Sequence, residues 1–176
     1  PRSYFGRVGT LELDVTLCGM GDKCLDQLDK IEVDDYNLVI KAGTCAALNG
    51  RIGILELVKP SWIGRPQEGV EPLKINDLNG FVEDLDLKQD GYKLVTVDQP
   101  VGSLAKQQNL RELGYDLADM EAYRLWELFQ SRLFLVLCVT TDRGDGKTRQ
   151  DFMRNLKAAS KLLKEGLLRI LDNCKG

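Results

Sequence analysis

"ADMEAYRLWELFQSRLFLVLCVTTD", residues 118–142, decides the fold. Its second half is apolar without a break over residues 133–139. That run is too uniform for a strand with one wet face and too short for a membrane span, so it reads as an interior strand. In its first half Ala122, Leu125, Trp126, Leu128 and Phe129 fall on one broad face of a helix expected over residues 119–131. A helix feeding a strand buried on both faces is a unit of an α/β fold. The same stretch poses a question. Asp119 and Glu121 stand where the chain should be entering the helix and going under. Acids in a first helical turn favour the peptide dipole and cap free N–H groups. A carboxylate serving a site would sit there equally well, and the stretch alone does not separate the two.

Outward from this point, elements alternate. "SYFGRVGTLELDVTLCGMG" reads as two strands joined by a turn at Gly9-Thr10. In the second, Leu11, Leu13, Val15 and Leu17 alternate with polar residues, so one buried face is expected. Cys24, Leu25, Leu28 and Ile31 recur at helical spacing and lead into the strand "YNLVIKAG". Residues 52–58 read as a strand stopped by Pro60, "GYKLVTVD" as another, and residues 103–113 as a helix. The polar middle, residues 64–91, shows no clear organisation. A long amphipathic helix over 149–173 closes the chain, with Phe152, Met153, Leu156, Ala159, Leu162, Leu163, Leu167, Ile170 and Leu171 as its buried stripe. Strands separated by helices predict a mostly parallel or mixed central sheet covered by helices on both faces.

With 176 residues, one domain over 1–176 is expected. A net charge of -3 gives no basic surplus for nucleic acid. No apolar run approaches the roughly 18 residues of a membrane span, and the N-terminus lacks a signal-peptide layout. A cytoplasmic protein is the expectation. Five cysteines without C-x-x-C spacing fit reduced thiols better than disulfides or zinc. The absence of histidine excludes Ser-His-Asp and Cys-His catalysis and HExxH zinc sites. Chemistry must then rest on carboxylates, hydroxyls and backbone dipoles, with no metal and no resident cofactor expected.

Four local features are candidates for it. "CGMG" puts Gly19 and Gly21 between a strand and a helix, where N–H groups can meet an anion, but the third glycine of a dinucleotide fingerprint is missing. "GDGKT" has Thr141 where a P-loop needs its first glycine, and the acids from Asp142 onward miss calcium-loop spacing, since position twelve is Met153. Asp142 itself follows a buried strand, where α/β sheets place ligand-contacting residues, although a loop acid or helix cap sits there too. The small residues Ala42, Gly43, Thr44, Cys45, Ala46 and Ala47 allow either a ligand or close packing near the backbone.

In this order the pieces resemble the nucleoside phosphorylase and nucleosidase superfamily, which includes purine and uridine phosphorylases and methylthioadenosine/S-adenosylhomocysteine nucleosidase. "LVIKAGTCAALNGRIGILELV" is similar to that family's strand, small-residue turn and "IGD-VV" strand. "CGMG" resembles its glycine pair, "ADMEA" its "EMEA" motif, and "LFLVLCVTTDRGDG" its strand ending in Ser-Asp. The resemblance implies a three-layer sandwich without the family's first strand. By the same resemblance Glu121 grips ribose hydroxyls with Met120 beside the sugar, and Asp142 supplies a proton or hydrogen bond to the leaving purine nitrogen. Thr141 falls on a serine, Thr44 and Gly43 on residues near ribose or phosphate, and Gly21 on the glycine pair.

Three departures stand beside these matches. The family's opening strand and water-activating glutamate have no counterpart in this sequence. Pro100 stands where a nucleosidase stacks a phenylalanine on the base, and a proline offers an apolar face without aromatic stacking. The polar middle shows no counterpart of the substrate loop. The expected activity is cleavage of the N-glycosidic bond of a purine nucleoside by hydrolysis. Phosphorolysis, with inorganic phosphate as co-substrate, is less favoured, because only Arg51, Arg65 and Arg143 offer themselves for phosphate. The alternative is a non-catalytic homologue binding a nucleoside or a protein partner. A homodimer is expected by resemblance.

Overall fold

The structure, a computed structural model, describes residues 2–21, 28, 35–75 and 91–174. Strands β1 (Arg2–Val8) and β2 (Leu11–Leu17) form an antiparallel hairpin in full register, from Arg2 opposite Leu17 to Val8 opposite Leu11. Gly9 takes a φ of 62° in the two-residue turn, a conformation that costs glycine least. The buried face expected on β2 is not formed. Val15 and Leu17 are about half exposed, because this ribbon is a sheet of its own, separate from the main one.

The main sheet has seven strands: β3 (Leu38–Ala47), β4 (Leu57–Val58), β5 (Trp62–Gly64), β6 (Leu73–Lys74), β7 (Lys93–Thr96), β8 (Leu117–Asp119) and β9 (Leu133–Asp142). Their spatial order is β4-β9-β3-β8-β7-β5-β6. Pairs β3–β9, β5–β7 and β7–β8 are parallel, whereas β3–β8, β4–β9 and β5–β6 are antiparallel, so the sheet is mixed as expected. Three helices accompany it among the described residues: α1 (Leu104–Glu112), α2 (Ala122–Phe129) and α3 (Thr148–Asn173).

Alternation along the central strands shows how the layers form. In β9, Phe134, Val136 and Cys138 pack with Leu125 and Phe129 of α2, while Leu135 and Leu137 pack with Ile170 of α3. Leu94 and Leu117 join the α2 side, and their neighbours Val95 and Ala118 pack on the opposite face with Leu110 of α1. Helices therefore cover both faces, and the uniformly apolar run of β9 is explained by burial on both.

Several boundaries differ from the sequence reading. The strand expected over 52–58 is reduced to Leu57–Val58. Before it, Leu55 adopts a φ of 61°, and the segment is held through Thr140, which accepts from Leu55 N–H at 2.8 Å and donates its own N–H to Glu56 at 3.0 Å. The small residues Ala42 to Ala47 belong to β3 itself rather than to a turn after it, and β9 runs on to Asp142. The helix expected over 119–131 is shorter, since Asp119 ends β8 and the helix starts at Ala122. In α3, Met153 and Leu156 are exposed, and close packing falls to Gly166, where a Cβ would meet Leu57 Cδ2 at 2.6 Å. The helix read through Cys24 and Ile31 lies outside the described residues.

Candidate active site

Because β3 and β9 are parallel, their C-terminal ends meet at one edge of the sheet, where open α/β sheets hold ligands. The register slips there. Cys45 pairs with Thr140 and Ala46 with Asp142, which leaves Thr141 as the extra residue of a β-bulge. Thr141 Oγ1 donates to Asp142 Oδ2 at 2.9 Å, and Gly144 N–H donates to Asp142 Oδ1, also at 2.9 Å. Gly144 has to be glycine, because its φ is 67° and a Cβ would press on Val101 and Leu48 at 3.1 and 3.2 Å. Burial pushes the Asp142 carboxyl above the usual aspartate range, with the Gly144 N–H and the Thr141 hydroxyl pulling back only in part.

The two acids of "ADMEA" have separate surroundings. β8 runs against β3, so its C-terminal end is carried back along β3 toward Lys41. Asp119, with its side chain wholly enclosed, accepts from Lys41 Nζ at 2.7 Å, Thr96 Oγ1 at 2.7 Å and Ala122 N–H at 3.0 Å. It is a satisfied buried carboxylate that also holds the start of α2. Glu121 makes no capping bond. Its Oε1 accepts from Gly21 N–H at 2.7 Å, and its Oε2 lies 3.8 Å from Lys41 Nζ. Burial pushes the Glu121 carboxyl above the usual glutamate range, against the opposing pull of Lys41 and the Gly21 N–H. Burial acts to neutralise Lys41, yet Asp119, helped by Glu121, holds it firmly in the charged form.

Glu121 and Asp142, 21 residues apart in sequence, line one cavity of about 380 Å³. Met120, Thr44, Thr141 and Pro100 line it as well. Gly21 and Gly43 lie behind this wall: Gly21 gives its N–H to Glu121, and a Cβ on Gly43 would meet Lys41 Nζ at 3.1 Å. A second cavity of about 360 Å³ adjoins from the side of β2 and β3, and Glu121 forms part of both linings. Among the described residues, no group of His, Cys, Asp and Glu is arranged to hold a metal. No helix among them is long and apolar enough to cross a membrane.

Three further residues in this region escaped the sequence reading. Phe152 and Met153, counted as core stripe, line the 380 Å³ cavity from the first turns of α3. An aromatic ring is therefore available from α3, on the far side of the sequence from Pro100. Their helical spacing is indistinguishable from that of core residues, so no local signal could have separated them. Lys41, within "LVIKAG", is buried, and nothing local in the sequence singles it out. The arginines considered for phosphate do not line the cavity. Arg65 pairs with Glu127 at 2.5 Å and stacks over Tyr123, and Arg143 Nη1 donates to the carbonyls of Asn49 and Ile52 at 3.0 and 2.6 Å. Arg149, at the exposed start of α3, does line it.

No protein-family model and no curated protein matches the sequence. Solved structures do match the fold. Futalosine hydrolase of Helicobacter pylori superposes with a TM-score of 0.86 at 16% identity, over 97% of this chain and 83% of that one. A Helicobacter pylori 5′-methylthioadenosine/S-adenosylhomocysteine nucleosidase mutant, with 5′-methylthioadenosine in its active site, gives 0.84 at 16% identity over 97% and 84%. The Streptococcus pneumoniae nucleosidase with a transition-state inhibitor gives 0.81 at 14% identity over 98% and 86%. This chain has the fold of the 5′-methylthioadenosine/S-adenosylhomocysteine nucleosidases and of futalosine hydrolase, the fold its sequence resemblance implied.

Proposed function

We propose that the chain binds a purine nucleoside in the 380 Å³ cavity and cleaves its N-glycosidic bond by hydrolysis. The observation that carries this reading is the convergence of Glu121 and Asp142 on one cavity beside Met120, Thr141 and Phe152. Breaking the bond between C1′ and the base nitrogen leaves its electron pair on the base and builds positive charge on the ribose. Glu121, ionised, accepts hydrogen bonds from the ribose hydroxyls and steadies that charge. Asp142, whose burial favours its protonated form, donates a proton to the departing nitrogen. Water adds to C1′ and gives up a proton that, through solvent, restores the Asp142 carboxyl, so the products are free base and free sugar. Hydrolysis is preferred to phosphorolysis, a glycosyl transfer to inorganic phosphate, because Arg65 and Arg143 are engaged elsewhere and the lining holds a single arginine, Arg149, rather than a set that would clamp phosphate. The reading needs no metal or resident cofactor. It includes a homodimer, supported by the family resemblance and testable by sedimentation, and a cytoplasmic setting, supported by the cysteine pattern.

A specific observation favours the second reading, a nucleoside-binding protein without catalysis. The acids lining the cavity are Asp119, Glu121 and Asp142. Asp119 is committed to Lys41, Thr96 and Ala122, which leaves among the described residues no further carboxylate to activate water. One experiment separates the two. The chain is incubated with a panel of purine nucleosides while free base is assayed by chromatography and binding by calorimetry. Base release supports the enzyme. Binding without release at high protein concentration supports the second reading, and the absence of both release and binding would sink both.

A further inference from the structure

We propose that Lys41 is the positioning residue of the nucleoside site: from behind the cavity wall it fixes Glu121 in the orientation and charge state that grips ribose. This inference rests on the nucleoside reading above. Lys41 lines the 360 Å³ cavity and not the 380 Å³ one, Asp142 lines only the latter, and Glu121 stands between them in both linings. The lysine therefore approaches Glu121 from the side away from the proposed substrate. Its ammonium is anchored by Asp119 at 2.7 Å, which leaves it 3.8 Å from Glu121 Oε2. Gly21 N–H holds the other oxygen at 2.7 Å. A carboxylate gripped at both oxygens from behind presents its remaining lone pairs in one direction only, into the larger cavity.

A purely structural account of Lys41 is weak. Its side chain and that of Asp119 are 6% and 0% exposed, and a buried ion pair of this kind is often no more stabilising than apolar residues of similar volume. A lysine in an interior strand, beside a glycine that leaves room for its ammonium, gains its meaning from the second acid it faces. The other charged or titratable groups around Glu121 are Asp119 on β8, Asp14, Cys18 and Tyr36 on the side of the smaller cavity, and Cys45, Asp142 and Arg149 on the side of the larger one. Arg149 is exposed to solvent, so Lys41 is the only buried cation among these described groups. Without it, burial and Asp119 would together favour the protonated form of Glu121.

The test uses the full chain with Lys41→Gln, purine nucleoside as probe, calorimetry from acid to neutral pH, and carbon-13 detection of the Glu121 carboxyl. The expected result is an upward move in the pH at which Glu121 ionises, with nucleoside affinity at mildly acid pH falling about tenfold or more. In a Glu121→Gln background the same substitution changes affinity by less than about twofold, since a residue acting through Glu121 has nothing left to act on. An unmoved Glu121 titration, or an equal loss of affinity in both backgrounds, overturns the proposal. Should Lys41→Gln not fold, Lys41→Gln/Asp119→Asn removes both buried charges. The Glu121 midpoint then still moves up, by less, because Lys41 acts on Glu121 more strongly than Asp119 does. If the native chain binds no purine nucleoside, the functional reading fails, while the carboxyl titration still decides whether Lys41 governs Glu121.

Discussion

The backbone N–H of Gly21 donates to Glu121 Oε1 at 2.7 Å, joining residues a hundred positions apart and closing the glycine pair of the N-terminal segment onto the acid of "ADMEA". Gly21 holds a φ of 65°, and a Cβ there would lie 3.4 Å from Met120 Cε. The space is adequate, so the backbone decides the effect of a side chain. Gly21→Ala is expected to cost about 1–2 kcal/mol of stability, read by chemical denaturation. Nucleoside affinity should weaken as well, because the N–H that orients Glu121 moves with the strained turn.

Glu121→Gln keeps an acceptor for Gly21 and removes the charge offered to ribose. A hydrogen bond to a charged group contributes about 1.5–3 kcal/mol, so nucleoside affinity should fall about ten- to hundredfold in calorimetry. A 2′,3′-dideoxy analogue should bind the native chain and the variant alike. An equal loss for both ligands would remove Glu121 from the ribose.

Asp142→Asn should lower base release by about a hundredfold to ten-thousandfold while leaving nucleoside binding in place. The pH dependence follows from the direction of the shift. Burial raises the Asp142 carboxyl in the fold, so the folded state holds its proton more tightly than the unfolded chain. The resulting stability is fully present at acid pH, below the unfolded value, and is lost as pH rises through the folded value. Asn carries no such term. Thermal melts across this range should therefore show the native chain losing stability relative to Asp142→Asn as pH rises, and base release declining over the same interval.

Lys41→Gln leaves Asp119 buried with its charge unpaired, since Thr96 and Ala122 donate to it without neutralising it. Breaking such a pair is expected to cost about 3 kcal/mol in denaturant titration. Lys41→Gln/Asp119→Asn should recover most of that loss, because no buried charge then lacks a partner. A pair variant no better than the single one would show that the ion pair itself, rather than the orphaned acid, carries the energy.

Elements with a strong local signal were legible in the sequence. The uninterrupted apolar run of β9, the turn at Gly9-Thr10 and the amphipathic α2 each announce themselves through hydrophobic period and turn chemistry, which act between near neighbours. The order of Thr44, Glu121 and Asp142 could also be read, and it is these three that the fold brings to one cavity. The exposure of Val15 and Leu17 could not, because alternation says only that a face is apolar and not that a layer will cover it.

The sequence by itself thus determined a mixed sheet between helices and a short list of hydroxyls and carboxylates in the right order. Only the tertiary structure set the partners of Asp119 and Glu121. One is consumed by Lys41, Thr96 and the start of α2, and the other is turned toward a cavity by a glycine from the far end of the chain. It also took Phe152 out of the core stripe and put Lys41 into the interior. These outcomes depend on which strands lie side by side and in which direction. Such contacts join distant residues, and neither period nor spacing along the chain records them.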